Sequence, residues 1–123
     1  MSNNKHMLIV DDDEMICEFI KAVLSMEDYT FSQAENGKEG LKKFKHEHFD
    51  LVITDIVMPE MEGISLIREL RAKNKNIPII AMTGNIHGRM EEYLDLTTQI
   101  GANHILRKPI KPADLINTVE MLL

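Results

Sequence analysis

Apolar positions along this chain follow two rhythms in alternation. Met7-Leu8-Ile9-Val10 is an unbroken apolar run, and after it Ile16, Phe19, Ile20, Val23 and Leu24 recur at three- and four-residue spacing. The first pattern is that of a strand buried on both faces, the second that of one face of a helix. A weaker strand covers about Tyr29 to Ala34. Asn36-Gly37 breaks it, and a helix carrying Leu41 and Phe44 runs towards His46. Leu51-Val52-Ile53-Thr54 is the next buried strand, and Ile64, Ile67 and Leu70 mark a third helix with the polar exit Lys73-Asn74-Lys75-Asn76. Ile77-Pro78-Ile79-Ile80-Ala81-Met82 forms a fourth strand, its proline near the start, where a strand tolerates one. A fourth helix runs through Met90 and Leu94 towards Ile100 and closes at Gly101. His104-Ile105-Leu106-Arg107 is a short fifth strand. Pro112 then opens a last helix with Leu115, Ile116, Val119 and Leu122 inward. Strand followed by helix, five times over, predicts a parallel sheet covered by helices on both sides.

In such a sheet, ligands bind outside the carboxyl ends of the strands. The first strand ends in Asp11 and Asp12, the third in Asp55, the fourth in Thr83 and the fifth in Lys108. Taken singly, each has a plainer use: an acid after a strand can cap the next helix, as Asp13 is placed to do, and a lysine is usually solvated. Together they converge on one edge. Three crowded carboxylates repel one another unless a cation joins them, and a hard divalent ion with oxygen ligands, such as Mg²⁺, resolves that repulsion. A hydroxyl and an ammonium beside it suit phosphoryl oxygens, and an aspartate can attack phosphorus to form an acyl phosphate.

Composition narrows the class. At 123 residues, with 44% hydrophobic and 28% charged residues, the chain fits one ordinary globular domain. A net charge of -6 argues against a general nucleic-acid surface, and no apolar run approaches the ~20 residues of a membrane span. The N-terminus lacks a signal-peptide pattern, which with a single cysteine, Cys17, fits the cytoplasm. Cys17 reads as a buried structural thiol, and His46-Glu47-His48 as solvated surface.

Leu8-Ile9-Val10-Asp11-Asp12, Asp55 with Met58-Pro59 and Gly63, Met82-Thr83-Gly84, and Lys108-Pro109 occur in that order. Over essentially its whole length the chain thereby resembles the receiver domain of two-component response regulators. The resemblance implies a flavodoxin-like (βα)5 sandwich, a parallel five-stranded sheet of order 2-1-3-4-5, and one stand-alone domain over 1–123 with no effector domain. It implies that Asp55 accepts a phosphoryl group from a phosphohistidine on a sensor histidine kinase or phosphotransfer protein. Asp11, Asp12, Asp55 and the Val57 backbone carbonyl would hold Mg²⁺, with Mn²⁺ or Ca²⁺ able to substitute. Lys108 would contact the phosphoryl group and Thr83 would hydrogen-bond it, Gly84 leaving room for it. The Lys108–Pro109 bond would be cis. Such a domain assists its own phosphorylation and dephosphorylation rather than acting as an enzyme. It would be a monomer or weak dimer that docks on a downstream protein through the face of the fourth helix, fifth strand and fifth helix, without nucleic acid or membrane insertion.

Two departures from the family bear on output. Ile105 stands where most receivers carry Tyr or Phe, and the segment between Thr83 and Gly101 is a few residues longer than usual. The switch is therefore expected to run through Thr83 and Ile105 without an aromatic swing, by movement of 84–88 and the fourth helix, with Tyr93 or Leu96 exposed towards the partner. Val57 and Asn85 would line the path of attacking water, and neither is a group that activates it, so the acyl phosphate should be long-lived. Two other readings stand beside this one. In a haloacid-dehalogenase-like phosphatase, Asp11 would be the nucleophile, but Asp55 would have no role and no acidic pair follows Lys108. In a non-phosphorylated adaptor, the fold would remain without the chemistry.

Overall fold

The computed structural model describes residues 4–56, 63–84 and 90–123, with side chains from 95 onward in the last stretch. Its elements alternate as β1 (Lys5–Val10), α1 (Glu14–Val23), β2 (Tyr29–Ala34), α2 (Gly37–His46), β3 (Leu51–Asp55), α3 (Gly63–Lys73), β4 (Ile79–Thr83), α4 (Met90–Gln99), β5 (His104–Arg107) and α5 (Pro112–Leu122). The strands form one parallel sheet of order β2-β1-β3-β4-β5.

Successive strand residues point to opposite faces, so the continuous apolar runs demand two cores. Leu8, Val10, Val52 and Ala81 pack on one side with Leu66, Ile67 and Leu70 of α3. Met7, Ile9, Ile53, Ile80 and Met82 pack on the other with Cys17 and Ile20 of α1 and Leu115 and Val119 of α5. All five residues of β3 and of β4 are buried. No helix among the described residues is long and apolar enough to cross a membrane.

Local chemistry sets the boundaries. Asp13 caps α1, its carboxylate accepting the Met15 N–H at 2.9 Å. Asn36, expected only as a break after β2, caps α2 by accepting the Glu39 N–H at 2.7 Å. β4 starts two residues later than the apolar run suggested. Pro78 lies outside it, lacking an N–H, but its carbonyl still accepts the Val52 N–H at 3.0 Å. The turn from α4 into β5 passes through Gly101 at φ 118°, a left-handed value that favours glycine. Arg71 of α3 holds that turn, donating to the Gly101 carbonyl at 2.9 Å and to Asn103 Oδ1 at 2.7 Å. Asn103 Oδ1 in turn accepts the Ile79 N–H at 2.8 Å, which ties the start of β4 to the same knot.

β1 begins at Lys5, earlier than the apolar run, because its polar start is paired. The His6 N–H reaches Asp50 Oδ2 at 2.8 Å, and the ring stacks on Phe49 at 4.9 Å. His6 Nε2 also lies 3.0 Å from Glu47 Oε1, which accepts the Ser32 hydroxyl at 2.5 Å. His46, Glu47 and His48 are exposed, as their composition suggested, but Glu47 links α2's exit to β1 and β2.

Candidate functional site

A parallel sheet gathers the carboxyl ends of its strands on one edge, and here they carry charge. Asp11 follows β1 and is only 2% exposed; Asp55 is the last residue of β3 and is 6% exposed. Asp12 is exposed beside them. One oxygen from each of the three carboxylates lies within 4.8 Å of the others. Lys108, just past β5, donates from Nζ to Asp11 Oδ2 at 2.9 Å and to Asp55 Oδ2 at 3.3 Å. One ammonium cannot neutralise three carboxylates, and a hard divalent cation suits the all-oxygen donor set that remains.

The electrostatics record that shortfall. Burial pushes the Asp11 carboxyl above its usual value, outweighing the Asp13 N–H at 2.9 Å and the Lys108 ammonium, both of which favour the anion. Burial also opposes the charge on Lys108, but its bonds to Asp11 and the nearby Asp55 charge prevail and hold its pKa above the usual lysine value.

Backbone geometry aims these groups. The Lys108–Pro109 bond is cis, as the resemblance implied, and the Lys108 N–H donates to the Thr83 carbonyl at 2.7 Å. Thr83 is buried at the end of β4, with its Oγ1 3.3 Å from the Gly84 carbonyl oxygen. Among the described residues, a methyl at Gly84 would meet only Lys108 Cδ, at 4.0 Å.

Of the residues singled out from sequence, Asp11, Asp12, Asp55 and Lys108 are brought together, with Thr83 on the neighbouring strand end. Val57, Asn85 and Gly88 lie outside the described residues, as does the side chain of Tyr93. Leu96 is 39% exposed on α4. Ile105 is half-buried, opposite Ala81 in the β4–β5 register, and packs against the α2/α3 core. Two residues near the site carried no chemical signal in the sequence. Gly63 entered as part of the family motif; in the structure a β-carbon on it would sit 2.0 Å from the Asp55 carbonyl oxygen, so only glycine lets α3 start against β3. Cys17 lies behind Asp11, its Sγ 3.8 Å from the Asp11 carbonyl oxygen, and burial, with Asp11 and Glu14 nearby, pushes its thiol up to about 11.

Three carboxylates and a lysine at this edge could serve more than one phosphoryl chemistry, and comparison with known proteins decides the family. The response regulator receiver domain family matches residues 7–120. The chain belongs to that family. Among curated relatives, it is 31% identical to the alkaline phosphatase synthesis transcriptional regulatory protein PhoP of Bacillus subtilis, over 98% of this chain and 49% of that one. It is 34% identical to the transcriptional regulatory protein GlrR of Escherichia coli, over 94% of this chain and 25% of that one. The receiver thus spans half or less of the length of these relatives. Among solved structures, a CheY-like response regulator receiver domain protein of Methanospirillum hungatei superposes with a TM-score of 0.88 at 33% identity, covering 98% of this chain and 94% of that one. The chemotaxis response regulator CheY4 of Vibrio cholerae gives a TM-score of 0.86 at 27% identity, covering 98% and 100%. The flavodoxin-like fold and strand order expected from the sequence are those observed, and the dehalogenase reading is set aside.

Proposed function

We propose that residues 1–123 act as one receiver unit in which Asp55 is the phosphoacceptor of a two-component phosphorelay. The observation that carries this is the junction of Asp55 with Asp11, Asp12 and Lys108 at one strand edge. A carboxylate oxygen of Asp55 attacks the phosphorus of a phosphohistidine on a sensor kinase or phosphotransfer protein. The P–N bond breaks, the imidazole nitrogen keeps its electron pair and takes up a proton, and an acyl phosphate forms on Asp55. Lys108 offsets the negative charge on the phosphoryl oxygens, and the Thr83 hydroxyl donates to one of them. Mg²⁺, held by Asp11, Asp12, Asp55 and the Val57 carbonyl, would supply further charge neutralisation. The domain then signals by its modified state rather than by turning over a separate substrate.

Incubation with acetyl phosphate or phosphoramidate, followed by intact mass measurement, tests the assignment. One added phosphoryl group, lost in Asp55→Asn and in chelator, is the expected result. Labelling retained in Asp55→Asn but lost in Asp11→Asn would overturn it, and no labelling from any donor would favour the adaptor reading.

Output is assigned to the face of α4, β5 and α5, meeting a cytoplasmic protein partner without nucleic acid or membrane contact. Thr83 moves towards the phosphoryl group because its hydroxyl gains a charge-assisted hydrogen bond. Ile105 is too short and too restricted at χ1 to repeat an aromatic swing. Backbone NMR with beryllofluoride and Mg²⁺ should shift residues 84–106; changes confined to the rim around Asp55 would refute this route.

A further inference from the structure

The end of the α1/α5 layer far from Asp55 holds a second feature. α1 runs away from the phosphoryl edge, and its exit, the start of β2 and the last turns of α5 meet at the amino-terminal edge of the sheet. There they enclose a recess of about 190 Å³. Val23, Leu24 and Met26 at the α1 exit, Tyr29 of β2, and Ile116 and Val119 of α5 form its apolar lining. Its only charged lining residues are Glu27 and Glu120. Both acids reach the Tyr29 hydroxyl electrostatically and, after burial, raise its pKa. Met26, at the rim of the recess, is 91% exposed.

We propose that this recess docks a protein segment bearing one large apolar side chain flanked by Lys or Arg. The volume falls below the ~300 Å³ of small-molecule sites but suits a single anchor side chain. The exposed Met26 adapts to an incoming apolar group, and two acids on an otherwise uncharged lining select basic flanks. A second copy of this chain fits poorly. Its basic helices are α2 and α3, and among the described residues neither exposes a large apolar side chain. The recess lies away from Asp55, so the docking is separate from the phosphoryl chemistry and adds a second partner surface to the receiver.

The test uses two synthetic peptides with one shared leucine–phenylalanine anchor, flanked by lysines in one and glutamates in the other. Each is titrated into the ¹⁵N-labelled full chain. The lysine peptide should shift the amides of Val23, Met26, Tyr29, Ile116 and Glu120 saturably, and the glutamate peptide should bind about tenfold more weakly. The exposed double variant Glu27→Lys/Glu120→Lys, checked for an unchanged melting curve, should reverse that order. Absence of shifts, shifts centred on another face, or equal affinity for the two peptides would overturn the proposal. So would the same amides shifting with protein concentration alone, which marks self-association, or with phosphatidylcholine vesicles, which marks a lipid surface.

Discussion

Replacing Gly63 by alanine sets two effects of opposite sign against each other, and the structure says which wins. Gly63 is the first residue of α3, and alanine is the better helix former by up to ~1 kcal/mol. Yet the added methyl carbon would lie 2.0 Å from the Asp55 carbonyl oxygen and 2.6 Å from Ile56 Cα, where real contacts stay beyond 3.0 Å. Both obstacles are backbone, so no side chain can rotate away. Either α3 retreats by about 1 Å or the end of β3 does. α3 is held by Leu66, Ile67 and Leu70, all fully buried, so retreat opens the core. Overpacking costs typically 1–3 kcal/mol and sometimes more, and we expect about 3 kcal/mol here, or a melting temperature lower by about 12 °C. Gly84→Ala is the matched control, because among the described residues its methyl meets only Lys108 Cδ, at 4.0 Å, and it should change stability by less than about 0.5 kcal/mol. Urea unfolding followed by circular dichroism measures both. Because the clash bears on Asp55 itself, labelling of Gly63→Ala by acetyl phosphate under folded conditions should also be slower. A Gly63→Ala protein as stable as its parent would show that helix propensity outweighs the contact and would refute the reasoning.

Lys108→Ala leaves two buried carboxylates facing each other; it should destabilise the metal-free protein by about 1–3 kcal/mol near neutral pH, and Mg²⁺ should restore part of the loss in thermal melts. The Asp11 carboxyl titrates higher folded than unfolded, so its contribution favours the fold most below pH 3.8 and fades as pH rises through the folded value; Asp11→Asn should flatten that part of the metal-free stability profile. Cys17 is 1% exposed with its thiol raised to about 11, so Ellman's reagent at pH 7.5 should react only after denaturant is added. If position 57 lines the approach of water as the family resemblance implies, Val57→Asn should shorten the half-life of the acyl phosphate, and an unchanged or longer half-life would count against that account.

The sequence announced most of the sheet because its inner strands are covered on both faces, and only such strands read as unbroken apolar runs. Leu51–Asp55 is the clearest case. Convergence of Asp11, Asp55 and Lys108 was legible for a related reason: each sits one step from the end of a run, and parallel pairing turns strand ends into neighbours. What could not be read depends on contacts between residues distant in the chain. Glu47 looked like solvent-facing charge because its partner His6 is 41 positions away. Lys5 and His6 fell outside the apolar run that begins at Met7, because their strand character comes from pairing with β2 and from Asp50. Gly63 stood out as a motif residue, since nothing in a sequence states how closely a helix start approaches the strand before it.

The Arg71 knot at Gly101 makes α4 a lever with a fixed fulcrum. Its carboxyl end is fastened through Gly101 and Asn103 to α3 and to the start of β4, at the edge of the sheet opposite Thr83. Its amino end, Met90, lies about 15 Å along the axis at 1.5 Å per residue, on the side of the phosphoryl edge. Small turns of the helix therefore vanish near Gly101 and grow towards Met90, where a rotation of about 10° becomes a displacement of about 2.6 Å. Cutting the fulcrum with Arg71→Ala would turn a pivoting arm into a floating one, so that any displacement begun at the phosphoryl edge would be spent on drift rather than on direction.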